Sequence, residues 1–275
     1  RGAYSVSGHP SPDDATGGTP RMRSIDGMSI LVTGGGSGIG ADCARRFCDQ
    51  GARVTISGRR LEKLQQIQEN IGERCHIVQG DVTRDEDRAE MLRGCLEHGG
   101  GKLDALLNNA ANMYRQPVDQ YTEAFLREAF ETNVISAMML SSAAVPHLEK
   151  TAGAIVFIGS THTKRAFPGA SPYATTKAAL EGLTKVMAAE LGPRNIRVGC
   201  ILPGAVSTEL NLRAGLFAAD EASERYDAVA GLHALGRIGT GTEVAEGVEY
   251  LMRAEWVTGV ALEVDGGIGL GVSHF

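Results

Sequence analysis

The chain has 275 residues, 43% of them hydrophobic, and a formal net charge of −6 from 27 Lys and Arg against 33 Asp and Glu. That length suits a large α/β unit with its own core, and the acidic balance, with no basic block, argues against a nucleic-acid partner. No apolar run reaches the roughly 18 residues that read as a membrane-spanning helix, so no membrane partner is expected.

Residues 1–21 are dominated by Ser, Pro, Asp, Gly and Thr without periodicity. They are expected to be a flexible leader or a remnant of expression, outside a single domain over 22–275. An apolar run at 30–33 ends in Gly34-Gly35-Gly36-Ser37-Gly38-Ile39-Gly40 and leads into helical spacing over 38–50. Strand, tight turn and helix are what a dinucleotide pyrophosphate needs. The glycines let the backbone approach the phosphates, and the helix N-terminus offers unpaired N–H groups. Further β-rich runs at 53–57, 75–78, 105–108, 154–158, 197–202 and 261–264 alternate with helical patterns at 60–72, 85–98, 120–148, 172–191 and 242–253. The alternation implies a doubly wound parallel sheet with right-handed crossovers and helices on both faces. Its strands are nearly continuous apolar runs, as burial of both faces requires. Gly34, Asn108, Ser160 and Pro203 fall at or just past strand C-termini, where such sheets bind ligands, so one crevice is expected to gather them.

The second strand ends Ile56-Ser57-Gly58-Arg59-Arg60, with no acid before Glu62. NAD sites commonly place an acid here for the ribose 2′-hydroxyl, whereas an arginine pairs with a 2′-phosphate. Arg59 therefore predicts a preference for NADP(H). NAD(H) is the alternative if Arg59 and Arg60 are simply solvated residues opening a helix. The five cysteines, Cys43, Cys48, Cys75, Cys95 and Cys200, are irregularly spaced and form no C-x-x-C pair. They read as buried free thiols in a reducing cytoplasm, and no metal site is expected.

Tyr173 and Lys177 are one helical turn apart, which sets a phenol beside an ammonium. A phenol ionises near pH ~10, and a positive neighbour lowers that value, so the pair reads as a proton donor tuned toward neutrality. Ser160 ends the run at 154–158, and Thr161, His162 and Thr163 follow it into the expected pocket. His162 reads more readily as a lining or structural residue than as a second acid. Residues 209–235, including Leu210, Leu212, Leu216, Phe217, Tyr226 and His233, form a long connection of the kind that closes over sites. Its apolar content hints at a partly hydrophobic substrate.

From about Met22 to Gly267 the chain resembles the compact short-chain dehydrogenases/reductases. Thr33, Gly34, Gly38 and Gly40 match that family's T-G-x-x-x-G-x-G turn. Asn108-Asn109-Ala110-Ala111 matches its N-N-A-G segment, with Ala where Gly is usual. Pro203-Gly204-Ala205-Val206-Ser207-Thr208 matches its P-G-x-x-x-T, and Val264-Asp265-Gly266-Gly267 its terminal D-G-G. The resemblance implies a Rossmann-type sheet of seven strands in the order 3-2-1-4-5-6-7, and a catalytic four at Asn133, Ser160, Tyr173 and Lys177. It implies hydride exchange between the cofactor and a small carbonyl compound or secondary alcohol. Tyr173 would act as general acid or base, Ser160 would bond the developing oxyanion, and Asn133 would hold a relay water at a helix kink. Lys177 would lower the tyrosine pKa and bind the nicotinamide ribose. Asp81 would hold the adenine amino group, and Val206 and Thr208 the carboxamide. Gly34, Ser37, Gly38, Ile39, Gly40, Arg59, Val82, Asn109, Pro203 and Gly204 would complete the cofactor site. Ser160, His162 and Tyr173 would face the substrate. A non-catalytic dinucleotide-binding module would be expected to lack Tyr173 or Lys177. An isomerase or dehydratase using its cofactor transiently would usually carry a larger substrate domain.

In the helix expected at 172–191, Leu180, Leu183, Met187 and Leu191 form a stripe suited to the sheet. Ala174, Ala178, Gly182 and Ala189 form a second stripe of small residues roughly opposite, where a monomer would expose polar groups. Family members commonly assemble through this helix and the one before it, so a homotetramer, or at least a homodimer, is expected.

Overall fold

The structure, a computed structural model, describes residues 22–207 and 227–271. The expectations placed on the leader at 1–21, on Thr208, and on Leu210, Leu212, Leu216, Phe217 and Tyr226 lie outside the described residues.

Seven parallel strands form one sheet: β1 (Ser29–Thr33), β2 (Arg53–Gly58), β3 (Cys75–Gln79), β4 (Ala105–Asn108), β5 (Ala154–Ile158), β6 (Arg197–Pro203) and β7 (Val260–Val264). Their spatial order is β3-β2-β1-β4-β5-β6-β7, as expected. Val32 of β1 is in register with Ile56 of β2 on one side and Leu107 of β4 on the other. The order therefore reverses between β1 and β4, which opens a crevice beyond their C-terminal ends.

Alternation along β1 divides the core into two layers. Ile30 and Val32 pack with Cys43, Ala44 and Phe47 of α1 (Gly38–Asp49) and with Val244 and Val248 of the helix Gly241–Arg253. Leu31, on the other face, packs with Met91 of the helix Asp85–His98 and with Leu106, Phe157 and Leu180. Phe47 and Phe157 are fully buried, each contributing about 1.5–3 kcal/mol of apolar transfer. All five cysteines lie in these layers as buried free thiols.

The single helix expected over 120–148 is three pieces: an α-helix at Glu123–Phe130, one π turn at Glu131–Ile135, and a second α-helix at Ser136–Leu148. Thr122 caps the first piece, its side chain accepting from the Phe125 N–H at 3.3 Å. The π turn inserts an extra residue into the helical ladder and carries Asn133 inward, where it is buried.

The helix Ser171–Leu191 has the two faces read from its sequence. Leu180 and Leu191 are buried, and Leu183 and Met187 pack against the same layer. Ala178, Gly182 and Ala189 are exposed, and Ala174 is half-buried. A Cβ added at Gly182 would meet nothing within 4 Å, so no described segment closes on that point. Val186 beside it is 56% exposed, and Met138 and Met139 of the preceding helix are 43% and 49% exposed. Among the described residues, no helix is long and apolar enough to cross a membrane.

Candidate active site

A cleft of about 730 Å³ opens over the C-terminal ends of the central strands, within the range typical of small-molecule sites. At one end lies the glycine turn between β1 and α1. Gly34 has φ +67°, and a Cβ there would stand 2.9 Å from the Ala110 Cα. A Cβ on Gly40 would stand 2.6 Å from the Gly34 carbonyl oxygen. Only glycine fits either position. The Asn109 Nδ2 braces the turn from behind, donating to the carbonyls of Thr33 (2.8 Å) and Gly34 (3.1 Å). Gly34, Ser37, Gly38 and Ile39 line the cleft itself. No acid occupies the first turn of α1, and the Ser37 side chain does not cap it. The backbone N–H groups there suit an anion, and the turn fits a dinucleotide pyrophosphate.

Past β2, Arg59, Arg60 and Lys63 line the same end. The Arg60 Nη2 donates to Ser37 Oγ at 3.1 Å, bridging the helix Leu61–Ile71 to the glycine turn. Arg59 is 60% exposed and lies 3.8 Å from Asp81 Oδ2. Sequence reasoning gave Arg59 the principal part, but Arg60 is the arginine bonded to the turn. Asp81 and Val82 line the cleft. The Asp81 Oδ1 accepts from the Thr83 N–H (3.0 Å) and the Thr83 hydroxyl (2.8 Å), forming a turn of its own. It does not cap the helix Asp85–His98, whose N-cap is Arg84.

At the other end Ser160, His162, Tyr173 and Lys177 come together. Ser160 follows β5 and accepts from the His162 backbone N–H at 3.2 Å. The His162 Nδ1 also lies 3.0 Å from Ser160 Oγ. The imidazole packs 4.4 Å from the Phe167 ring and meets Tyr173 edge-on at 5.2 Å. Burial, with the charges of Arg115 and Lys177 adding to it, pulls the His162 pKa down to about 4. The Lys177 Nζ donates to the Ile158 carbonyl at 2.7 Å and stands 5.5 Å from the Tyr173 ring centre. Burial brings its pKa down to about 8.

Tyr173 corrects an expectation. The lysine was expected to lower the phenol pKa, yet burial pushes it up to about 12, and a side-chain hydrogen bond with Ser160 opposes the rise. Desolvation of the phenolate is the largest cause, and Lys177, itself desolvated and turned to the Ile158 carbonyl, does not bring the value down.

Asn133 does not line the cleft. Its Oδ1 accepts from the Asn112 N–H (2.9 Å), and its Nδ2 donates to the Asn112 carbonyl (3.0 Å) and to Thr176 Oγ1 (3.1 Å). Thr176 in turn donates to the Tyr173 carbonyl at 2.7 Å. The π turn is thus tied to the loop after β4 and to the helix that carries Tyr173. Pro203, Gly204 and Val206 line the cleft after β6. The Ala205 N–H behind them donates to His233 Nε2 at 3.3 Å. Sequence reasoning missed Asn112, Arg115, Phe167 and the link from His233 to Ala205. These residues sit in loops with neither periodicity nor motif, and only the contacts reveal them.

A family model described as Enoyl-(Acyl carrier protein) reductase matches residues 34–269. The L-fucose dehydrogenase of Oryctolagus cuniculus is 36% identical over 254 residues, covering 89% of this chain and 86% of the relative. Dehydrogenase/reductase SDR family member 4 of Sus scrofa is 31% identical, covering 92% and 91%. The structure of 3-ketoacyl-(acyl-carrier-protein) reductase from Brucella melitensis, complexed with NADH, superposes with a TM-score of 0.82 at 28% identity, covering 90% of this chain and 100% of that one. On the matched family model and the extent of these relatives, the chain belongs to the short-chain dehydrogenase/reductase family of oxidoreductases.

Proposed function

We propose that the chain is an NADP(H)-dependent carbonyl reductase or secondary-alcohol dehydrogenase acting on a small molecule. The observation that carries this reading is the union, in one cleft, of Ser160, Tyr173 and Lys177 at one end with the glycine turn at the other. When bound, the nicotinamide cofactor supplies or accepts the hydride. Tyr173, protonated at neutral pH, holds the proton for the carbonyl oxygen in reduction and receives it in oxidation. Ser160 bonds the same oxygen as negative charge grows there. Lys177, with a pKa near neutrality for a lysine, serves as the adjacent proton reservoir and as donor to the ribose hydroxyls. Asn133 holds the Asn112 loop against the Tyr173 helix, and this keeps the pocket wall in place.

The NADP(H) preference is supported by Arg59, Arg60 and Lys63, which line the cleft past the end of β2, with no acid between Gly58 and Arg60. A homotetramer, or a homodimer, is supported by the exposed small-residue face at Ala178, Gly182 and Ala189 and by the apolar Met138, Met139 and Val186 beside it. Five buried free thiols suit a reducing cytoplasm. The test is oxidation of NADPH and NADH across a panel of ketones and aldehydes. Consumption of NADPH by a ketone supports the reading, and inertness toward every carbonyl tried would overturn it.

A further inference from the structure

We infer that the substrate carries a carboxylate and that Arg115 receives it; the inference deepens the reading of this cleft as a site of carbonyl reduction and rests on it.

The argument begins with charge. Acids outnumber bases in the whole chain by six, yet the described charged residues lining the cleft are Arg59, Arg60, Lys63, Arg115 and Lys177 against the single acid Asp81. Asp81 is engaged by Thr83 and faces Arg59. Arg59, Arg60 and Lys63 stand at the glycine-turn end, where the phosphates of a dinucleotide belong. Lys177 is buried beneath the reaction centre. Arg115 has no such occupant. It lies at the opposite end, close enough to His162 for its charge to depress the imidazole pKa.

Arg115 is also held in place. Its Nη2 donates to the Pro168 carbonyl at 2.6 Å, and the next residue's backbone N–H, that of Gln116, donates to the Gly169 carbonyl at 2.9 Å. Both contacts strap the loop after β4 to the segment just before the Tyr173 helix. The position of the guanidinium is therefore set relative to the catalytic end. Of five guanidinium N–H donors, Pro168 takes one, and the fork geometry suits a carboxylate held by two bonds. Among the described residues no carboxylate pairs with it, whereas Arg46, Arg88 and Arg237 each have one. His162, which contacts Ser160 and feels the charge of Arg115, is neutral at working pH and adds no competing charge. A substrate with its carbonyl at Ser160 and Tyr173 thus meets, in the same cleft, a cation that no carboxylate among the described residues pairs with.

The test compares oxo acids of graded chain length with their methyl esters, on wild type, Arg115→Gln and Arg115→Lys. For the preferred length we expect kcat/KM at least tenfold higher for the acid than for its ester. Arg115→Gln should remove that ratio by lowering acid reduction far more than ester reduction, and Arg115→Lys should restore part of it. In parallel, calorimetry on protein saturated with NADP+, which cannot reduce the oxo acid, should show acid binding that is lost in Arg115→Gln. Equal kcat/KM for acids and esters, or equal losses on both in Arg115→Gln, would overturn the inference and leave carbonyl reduction standing. Arg115-dependent acid binding without turnover of any carbonyl would keep the anion site and overturn the reductase reading. Neither binding nor turnover would overturn both.

Discussion

Replacing His162 with Asn should flatten the acid side of the stability profile. The imidazole is packed against Phe167, Tyr173 and Ser160, and its pKa falls from the ordinary 6.5 to about 4 through burial and the charges of Arg115 and Lys177. Unfolding restores the ordinary value. Between about pH 6.5 and 4 the unfolded chain therefore binds a proton that the folded one refuses. Stability present above pH 6.5 is lost as the pH falls through that window. With about 1.36 kcal/mol per pH unit, the full effect is roughly 3 kcal/mol, and at pH 5 it is about 2 kcal/mol. Residual exposure of the ring trims this to about 1–2 kcal/mol. Urea unfolding at pH 7 and pH 5, at one protein concentration, reads the difference directly. Wild type should lose about 1–2 kcal/mol more than His162→Asn over that interval. His76, whose pKa burial also lowers, is common to both proteins and cancels. Parallel pH dependence in the two proteins would refute the reasoning, since it would mean that His162 titrates normally in the folded state.

Tyr173→Phe should bind cofactor normally but lose at least the ~10²–10⁴ typical of a positioned acid, and near-full carbonyl reduction by the variant would remove Tyr173 from the mechanism. Wild type should bind NADPH about tenfold or more tighter than NADH. Arg60→Asp, like Arg59→Asp, should reverse that order, with the larger change expected from Arg60 because of its bond to Ser37; equal affinities in wild type would dispose of the arginine argument. Light scattering should give a multiple of the 29.0 kDa chain mass. Gly182→Trp should lower it, and a wild-type mass near 29.0 kDa would count against assembly.

The sheet was legible almost residue by residue because its strands are short apolar runs closed by turn residues, and burial of both faces writes that pattern directly. The break at Glu131–Ile135 was expected only through the family resemblance, which implied a kink at Asn133; local composition does not announce it, because Thr132, Asn133 and Val134 carry no glycine or proline to mark an inserted residue. Tyr173 and Lys177 were legible from their spacing taken together with the glycine turn and the family resemblance, but the direction of the Tyr173 pKa shift was misjudged. Sequence proximity displays the lysine's charge and hides the burial that raises the phenol pKa. Arg59 and Arg60 are adjacent in sequence and equivalent on paper, and only the path of the chain after β2 brings Arg60 to Ser37. Arg115 and Phe167 reach the pocket because β4, β5 and the Tyr173 helix are neighbours in space, which no local pattern encodes.

The two hydrogen bonds between the Asn133 side chain and the Asn112 backbone, with a third to Thr176, tie three separate stretches of chain together. Amide exchange at Asn112 should then follow the slow opening of the helix core, although its neighbours in the loop exchange as surface residues. Losing the carboxamide in Asn133→Ala would uncouple the pocket wall from the catalytic helix while the sheet beneath remains folded, so the site would loosen before the protein does.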